Sequence, residues 1–338
     1  MISEYKLIRS FFIFLFFISA CRENPVTYSD FNGFAQGTTY RIVYDDQAGM
    51  TPAELKSQVD KILNDFDMSL SLYQDSSVLS KINRNEPVAP DQFFINVFRK
   101  SKTISSLTGG AFDVTVGPLV KAWGFGPDAV RNFEESKRDS LLSFVGMEKV
   151  DMREGLLIKS DPRIILDFNA IAQGYAVDVV TEYFDELGME SYLVEIGGEV
   201  RVKGDKNGVP WRIGIDRPED NNNNPGENLQ AIIGLRNRSL ATSGNYRKFY
   251  VEDGIKYSHT IDPKTGYPAR NQLLSATILA DDCATADGVA TACMVMGKDK
   301  TIEFLEQHAE FEGFLIYSDD SGNFRTWASK SLKKYISE

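Results

Sequence analysis

The sequence contains few of the side chains that form histidine or cysteine metal sites. It has only two histidines, His259 and His308, and three cysteines. Neither an HExxH motif nor a pair of CxxC motifs is present, which excludes the zinc sites that these motifs build. Apart from Cys21, only Cys283 and Cys293 remain; they are too few for a disulfide framework, and we expect both to be buried. A metal ion would therefore need oxygen ligands.

Basic clusters and the common nucleotide-binding motifs are also absent. The formal net charge is −11 and the sequence pI is about 4.9, which excludes the electrostatic footprint of a nucleic-acid-binding protein. Neither GxGxxG before a helix nor GxxxxGKS/T occurs, so a nucleotide would need another kind of site. With 42% hydrophobic residues, the chain can bury a sizeable core as one large domain or two closely associated lobes.

The long apolar run near the N-terminus is too short to span a bilayer. Residues 11–18 are all apolar, follow two basic residues and precede Ser19-Ala20-Cys21, a pattern typical of a secretion signal at residues 1–20. A membrane-spanning helix needs roughly 20 apolar residues. Residues 18–21 resemble a bacterial lipobox, which implies a lipid on Cys21. We expect a lipid-anchored protein on the periplasmic or cell-envelope side of a bacterial membrane; a plain cleaved signal with an incidental cysteine is the alternative.

Periodicity predicts the folded part of the chain. Residues 21–32 are polar and lack periodicity, which predicts a tether, and the domain is predicted to cover residues 33–338. The clearest helix begins after Thr51, where Glu54 completes a capping box before an apolar stripe. Further helices are predicted at 92–107, 170–187 and 284–296, and strands at 39–44, 163–168, 191–196, 200–203, 211–216, 231–235, 273–280, 314–317 and 323–327, with a hairpin over 248–258. Because helices and strands do not alternate strictly, we predict an α+β fold with mixed sheets and packed helices.

Two side chains that carry oxygen share a helix face near the C-terminal end of the chain. Asp287 and Thr291 are four residues apart in a predicted helix, which places them on one side of it. A carboxylate and a hydroxyl, completed by carbonyl oxygens, water and substrate phosphates, suit Mg²⁺. The structural alternative is that Asp287 is a first-turn charge favoured by the helix dipole and that Thr291 is a packed side chain.

A polar segment at residues 257–268 follows a predicted strand. It contains His259 and Asp262 among proline and glycine residues. Turn geometry alone would explain this composition, so a structural and a functional role both remain open. Small residues at 197–198 and 241–244 mark further places where a ligand could approach the backbone closely.

Taken together, eight segments resemble the FAD:protein FMN transferases, the ApbE family. They are residues 37–40, 69–83, 109–120 with 123–126, 166–168 with 174–178, 197–199, 241–246, 259–266 and 286–287, and include GGAFDVTVGPLV at 109–120. Their common order over nearly the whole mature chain makes the resemblance specific. It implies an ApbE-like α+β fold around an extended FAD cleft, with Mg²⁺ at the FAD pyrophosphate.

The resemblance also implies roles for individual residues. Those expected to contact FAD are Gln36, Tyr73, Ala111, Phe112, Asp113, Asp167, Gln173, Thr260 and Ile261. Those expected to hold Mg²⁺ are Ala170, through its carbonyl, Asp287 and Thr291, whereas His259 and Asp262 are expected beside the reacting phosphates. Gln36 stands where the family usually has methionine, and Gln173 where it often has lysine or glutamate. Both departures concern the flavin contact and not the metal.

The reaction implied by the resemblance is transfer of FMN from FAD to a serine or threonine hydroxyl of an acceptor protein, with release of AMP. A metal would neutralise phosphate oxygens, and His259 or a nearby carboxylate could take the hydroxyl proton. The implied acceptor belongs to a membrane or extracytoplasmic redox system, and this chain has no obvious copy of the family's acceptor motif. With water as the nucleophile, the site would be an FAD pyrophosphatase; a non-catalytic flavin-binding lipoprotein is the third alternative.

Overall fold

The computed structural model describes residues 27–46, 49–127, 131–219, 226–245, 249–252 and 255–337. The predicted signal peptide, Cys21 and the first part of the predicted tether lie outside these ranges. The turn of the predicted hairpin, at residues 253–254, also lies outside them. Among the described helices, none combines the length and the hydropathy that a membrane span requires.

Helices and strands follow one another without strict alternation. The helices are α1 (Pro52–Leu70), α2 (Val78–Asn83), α3 (Gln92–Leu107), α4 (Gly117–Ala122), α5 (Arg138–Leu142), α6 (Ala172–Glu186), α7 (Cys283–Met296) and α8 (Lys298–Gln307). The strands are β1 (Tyr28–Ala35), β2 (Thr38–Asp45), β3 (Val150–Arg153), β4 (Leu156–Lys159), β5 (Tyr192–Ile196), β6 (Glu199–Lys203), β7 (Trp211–Asp216), β8 (Leu229–Leu235), β9 (Arg238–Gly244), β10 (Phe249–Glu252), β11 (Ile255–Ser258), β12 (Leu273–Ala280), β13 (Glu312–Ser318), β14 (Phe324–Ala328) and β15 (Ile336–Ser337). The predicted α+β class is confirmed.

Eight strands form a central sheet in the order β1-β2-β5-β6-β9-β12-β13-β14. Every strand pairing within the described ranges is antiparallel, so the expectation of mixed sheets is wrong for this part of the chain. The connections explain the difference. Some sheet neighbours are joined by a short turn, as β5 and β6 are, or by a pair of helices, as β12 and β13 are. Others are joined by longer connections, such as β7 and β8 between β6 and β9, and each of these connections lets the chain return in the opposite direction.

Helix α1 begins as the sequence predicts. The Thr51 N–H donates to Glu54 Oε2 at 2.9 Å, and the Glu54 N–H donates to Thr51 Oγ1 at 3.3 Å. These two bonds form the reciprocal capping box. The predicted apolar stripe is buried at Leu55, Val59 and Leu63. The local sequence therefore predicts where this helix begins and which of its faces is buried.

The folded domain starts earlier than predicted, because residues 28–32 belong to β1 and not to a tether. Strand β1 pairs with β2 along its whole length, from Tyr28 opposite Asp45 onward. Phe31 turns inward and contacts the rings of Tyr40 and Tyr44. Phe31 is the one buried residue of β1, so the segment lacks the alternation of apolar and polar residues that predicts a strand. Pairing with β2 determines this strand instead.

The segment 163–168, predicted as a strand, forms no strand and pairs with no described strand. The Asn83 side chain replaces a neighbouring strand: Nδ2 donates to the Leu166 carbonyl and Oδ1 accepts from the Leu166 N–H, both at 2.9 Å. The Asp167 N–H donates to the Val114 carbonyl at 2.7 Å. Because Asn83 is distant in the sequence, the apolar pattern of residues 163–168 could not reveal that its side chain replaces a strand partner.

Three hydrophobic clusters lie in the described chain. The largest fills the space between the central sheet and helices α1, α3, α6 and α7, and includes Cys283 and Cys293. Both cysteines are buried, as expected, and neither forms a disulfide. A second lies under β7 and β8 on the other face of the sheet. The third, called the outer cluster here, is built on buried residues Leu119, Trp123, Val145 and Ile261.

Candidate functional site

Helices α6 and α7 approach each other closely because of Gly174. A Cβ atom at this position would lie 2.8 Å from Asp287 Cβ and closer still to the Cys283 carbonyl oxygen, so a larger residue would force the helices apart. The Gly174 N–H, in the first turn of α6, donates to Asp287 Oδ2 at 3.1 Å. The start of α6 therefore fixes the position of the Asp287 carboxylate.

Asp287 is a buried carboxylate whose charge has little compensation. Gly174 provides its only hydrogen bond from a described residue. Burial raises the pKa of Asp287 to about 7, against the lowering effect of the Gly174 N–H. A buried carboxylate in this situation gains from a neighbouring cation, which stabilises the charged form. The surroundings of Asp287 therefore fit a metal ion.

The other two expected metal ligands are Thr291, on α7, and Ala170, just before α6. Thr291 is one helical turn after Asp287, and its Oγ1 lies 3.2 Å from Ser243 Oγ on β9. Ala170 precedes α6. If the helix began earlier, the Gly174 N–H would donate to the Ala170 carbonyl, but here it donates to Asp287. No three His, Cys, Asp or Glu side chains cluster within the described ranges. A cation at Asp287 would take hydroxyl, carbonyl, water or substrate oxygens, as Mg²⁺ does.

Asp178 is a buried residue of the segment 174–178, and the family resemblance implied no role for it. Its Oδ1 accepts from the Cys283 N–H at 2.9 Å and from Arg201 Nη1 at 2.8 Å, and its Oδ2 accepts from the Ala284 N–H at 2.9 Å. Burial and then the charge of Asp282 raise the pKa of Asp178 to about 6. The available signal was its spacing of four residues from Gly174, which puts both on the face of α6 toward α7.

Residues 109–120, called the glycine-rich segment here, direct the side chains of Phe112 and Asp113 toward the protein interior. Phe112 is 2% exposed and packs beside Gly288 of α7. The Asp113 carboxylate accepts from the N–H and the hydroxyl of Thr115, at 2.8 and 2.6 Å, and from the Met147 N–H at 3.1 Å. Both side chains are thus occupied within the protein, and Ala111 is buried as well. A ligand contact at residues 111–113 would use the backbone.

Gln36 and Gln173 lie at the same end of the central sheet. Gln36 and Gly37 form the turn between β1 and β2, with φ of 52° and 73°. The Gln173 side chain lies against Gly197, where an added Cβ would collide with its amide nitrogen and lie 3.0 Å from Thr38 Cγ2. Both amide atoms of Gln36 are buried, and no described residue forms a hydrogen bond with them. Such an amide costs free energy until a ligand or water completes its bonds.

Tyr73 and Asp167 form a more open part of the region. Tyr73 is 64% exposed, and partial desolvation followed by the charge of Asp167 raises its pKa. Asp167 is buried, and its Oδ1 accepts from the Asn169 N–H at 2.9 Å. An accessible aromatic ring next to a carboxylate suits a planar ligand ring that also carries hydrogen-bond donors.

His259 and Asp262 lie in one turn and have different surroundings. Asp262 Oδ1 accepts from the Lys264 N–H at 2.8 Å, and the Asp262 carbonyl accepts from the Gly266 N–H at 2.9 Å. The Asp262 carboxylate therefore shapes the turn, as the structural alternative supposed. His259 is partly buried, as Asp262 is, and its ring centroid lies 6.4 Å from that of Phe125.

Thr260 and Ile261 link this turn to the outer cluster. Both are buried, and the Ile261 side chain packs among Leu119 and Trp123. The Thr260 carbonyl accepts from the Ala269 N–H at 2.8 Å. The Thr260 backbone and the Ile261 side chain thus hold the turn in place beside His259.

Comparison with known proteins gives a consistent result. The ApbE family model matches residues 36–315. The chain is 37% identical to the FAD:protein FMN transferase of Vibrio cholerae over 331 residues, which cover 96% of this chain and 97% of that protein. It is 31% identical to the Escherichia coli (strain K12) protein of the same name over 316 residues, covering 90% and 88% of the two chains.

Two solved structures are also similar. The flavin transferase ApbE from Vibrio cholerae superimposes with a TM-score of 0.81 at 37% identity, covering 92% of this chain and 100% of that chain. The apo form of the flavinyl transferase ApbE from Pseudomonas stutzeri gives a TM-score of 0.82 at 31% identity, covering 93% and 98%. The similarity therefore extends over nearly the whole described chain.

Proposed function

The chain belongs to the ApbE family, and from this premise we propose that it transfers FMN from FAD to a serine or threonine hydroxyl of an acceptor protein. The hydroxyl oxygen attacks the FMN phosphorus, and the bond to the bridging oxygen of the pyrophosphate breaks. AMP leaves with that oxygen, and the hydroxyl proton passes to a base. No oxidant or reductant is needed, because the flavin keeps its redox state.

The observation that carries this proposal is the buried Asp287 carboxylate at the contact of α6 and α7. It is 7% exposed and accepts a hydrogen bond from one described residue, Gly174, and burial raises its pKa. A pyrophosphate brought next to it would add further negative charge. Mg²⁺ held by Asp287, Thr291 and the Ala170 carbonyl would supply Lewis-acid stabilisation of the phosphate oxygens. The donor set, one carboxylate with neutral oxygens, leaves positions for substrate and water.

The remaining residues have roles in binding and proton transfer. Tyr73 offers its exposed face to a flavin or adenine ring, and Asp167 beside it accepts hydrogen bonds. The free amide of Gln36 would bind a polar edge of the ligand. His259 would take the proton from the attacking hydroxyl, because imidazole is the most frequent general base and the Asp262 carboxylate already accepts the Lys264 N–H. Asp262 would keep that turn in shape.

The test is incubation of the purified chain with FAD and Mg²⁺, with and without a candidate acceptor protein. We expect a fluorescent covalent flavin on the acceptor and one AMP for each flavin attached, and neither product with excess EDTA. Free FMN and AMP in equal amounts, with no labelled acceptor, would instead identify an FAD pyrophosphatase. Tight flavin binding without AMP would overturn both enzymatic proposals.

We further propose that the enzyme works at the cell envelope on an acceptor of a membrane or extracytoplasmic redox system. The support is the N-terminal pattern that ends at Cys21. Mass spectrometry of the N-terminal peptide from bacterial membranes should show a lipid on Cys21, and Cys21→Ala should move the protein to the soluble fraction. An unmodified mature N-terminus at Cys21 would refute the lipid anchor and leave the transferase proposal intact.

A further inference from the structure

Helices α6 and α7 are connected by hydrogen bonds at two levels, one helical turn apart. At the first level, the Gly174 N–H donates to Asp287 Oδ2 at 3.1 Å. At the second, the carboxylate of Asp178 accepts from the N–H groups of Cys283 and Ala284, both at 2.9 Å. The partners follow one another in opposite order on the two helices, so the helices run antiparallel here. Two levels of bonding fix both the separation of the helices and their relative position along their axes.

The same spacing leads to the expected metal ligands. Ala170 stands four residues before Gly174, and Thr291 stands four residues after Asp287. The expected ligand oxygens are therefore divided between the two sides of the helix contact: one lies before α6 and two lie on α7. A shift of α7 along α6 would change the distances between them. Mg²⁺ requires near-octahedral geometry with short bonds to oxygen, so its binding is sensitive to such a shift.

The bonds made by Asp178 are additional to the ordinary cap of α7. Asp282 is the N-cap residue of this helix, and its Oδ1 accepts from the Thr285 N–H at 2.8 Å. Its Oδ2 accepts from the Thr285 hydroxyl at 2.9 Å. The first turn of α7 thus has a local cap that needs no other element. The carboxylate of Asp178 instead connects α7 to α6 and, through Arg201 Nη1 at 2.8 Å, to strand β6 of the central sheet.

A buried carboxylate is a costly way to join two helices. Asp178 is 3% exposed, and burial followed by the charge of Asp282 raises its pKa. Its ion pair with Arg201 is a weak source of stability, because the cost of removing two charges from water offsets much of their attraction. Apolar side chains could pack two helices together without this cost. What the carboxylate contributes in addition is direction, because its two oxygens accept from defined N–H groups of α7.

We propose that Asp178 is a positioning residue of the metal site. It acts through the backbone of α7: by fixing this helix relative to α6, it sets the positions of Asp287 and Thr291 relative to the Ala170 carbonyl. The inference rests on the proposed function for the presence of Mg²⁺. The competing explanation is that Asp178 contributes only to the stability of the fold, and the experiment separates the two.

The experiment is calorimetric titration of the full mature chain with Mg²⁺ alone, at a temperature where thermal unfolding shows the variants to be folded. Asp178→Asn keeps the size of the side chain, but its NH₂ group cannot accept a bond from α7. We expect Mg²⁺ affinity to fall about tenfold or more, as it does when residues that hold metal ligands in place are changed. The Mg²⁺ concentration for half-maximal FAD cleavage should rise equally, with kcat at saturating Mg²⁺ little changed.

Asp185→Asn is the matched control. Asp185 also lies on α6 and also pairs with a cation of β6, Lys203, at 2.9 Å. Its other hydrogen bond is from the Tyr192 hydroxyl on β5, so neither bond reaches α7. This variant should bind Mg²⁺ like the unchanged protein. Unchanged Mg²⁺ affinity in folded Asp178→Asn would overturn the inference, because a role in stability alone leaves the affinity of the folded protein as it is.

Hydrogen exchange of the unchanged protein provides a second test that does not depend on the folding of a variant. Separation of α7 from α6 frees the Cys283 and Ala284 N–H groups, whereas the Thr285 N–H keeps its bond to Asp282. Mg²⁺ at ten times its Kd should slow exchange at the first two by about tenfold, and at Thr285 by less. Slowing that is equal at all three, or absent, would overturn the inference. Mg²⁺ binding that depends on Asp178, without AMP release from FAD, would refute the proposed function alone.

Discussion

The contact between α6 and α7 differs from the outer cluster in how its parts are packed. The helix contact is built from glycine, backbone N–H groups and two buried aspartates, and it leaves no space for a larger side chain. The outer cluster is built from large side chains such as Trp123 and Ile261. Large apolar side chains can repack around a substitution more easily than two backbones in close contact can. The difference predicts that substitutions at the helix contact affect both chemistry and stability, and that those in the outer cluster affect mainly stability.

The largest effect is expected from Asp287→Ala, which should reduce AMP release from FAD by about a thousandfold or more, because metal stabilisation of the phosphates is lost. Isothermal titration with Mg²⁺ should show a matching loss of binding. Asp281→Ala is the control: this neighbouring aspartate is exposed and pairs with Arg238, so its removal should leave turnover unchanged. Full activity of Asp287→Ala at low Mg²⁺ would refute the metal assignment.

A second effect concerns stability in the absence of metal. In the folded protein, burial raises the pKa of Asp287 from its ordinary value of 3.8 to about 7. Ionisation of Asp287 therefore destabilises the folded state as the pH rises from the lower of these pKa values to the higher. In EDTA, Asp287→Asn should match the unchanged protein near pH 4 and exceed its free energy of unfolding at pH 8 by a few kcal/mol. Urea denaturation at both pH values measures this. Saturating Mg²⁺ should reverse the order at pH 8; equal stabilities throughout would contradict the prediction.

Two glycines on the facing helices provide the next comparison. Gly174→Ala should cost about 1–3 kcal/mol of stability, because the new Cβ meets the backbone of Cys283 and the Cβ of Asp287. Gly288→Ala on α7 should cost less, because its Cβ lies 2.8 Å from Ile104 Cδ1, the end of a flexible side chain. Denaturant titration of both variants gives the two values. A larger loss for Gly288→Ala would show that Gly174 does not limit the helix contact.

The smallest effect is expected at the turn between β1 and β2. Gln36→Met should raise the free energy of unfolding by about 1 kcal/mol in the ligand-free protein, because two buried amide atoms without partners are removed. FAD affinity should fall at the same time if the amide binds the ligand. Gln58→Met, at an exposed position of α1, should change neither quantity. A loss of stability at Gln36 would show that the amide is satisfied in solution.

The parts of the molecule that depend on local pattern were predictable from the sequence. The capping box of α1 and the shared face of Asp287 and Thr291 follow from helical spacing. The features that depend on distant segments were not: β1 is fixed by its partner strand, and the segment near Leu166 is bound by Asn83. The roles of Asp262 and of the Gly174 contact became clear only from hydrogen bonds and packing across the fold.

Strand β1 connects the end of the predicted tether to the turn at Gln36. Tyr28 pairs with Asp45 at one end of the sheet, and Gln36 turns at the other end, where Gln173 and Thr38 meet Gly197. The eight residues of β1 span roughly 23 Å at the usual rise of a strand. If Cys21 carries the proposed lipid, the Gln36 turn is the end of β1 that lies farther from the anchor along the chain. An acceptor on the same membrane would then need a modified segment long enough to reach that end of the strand.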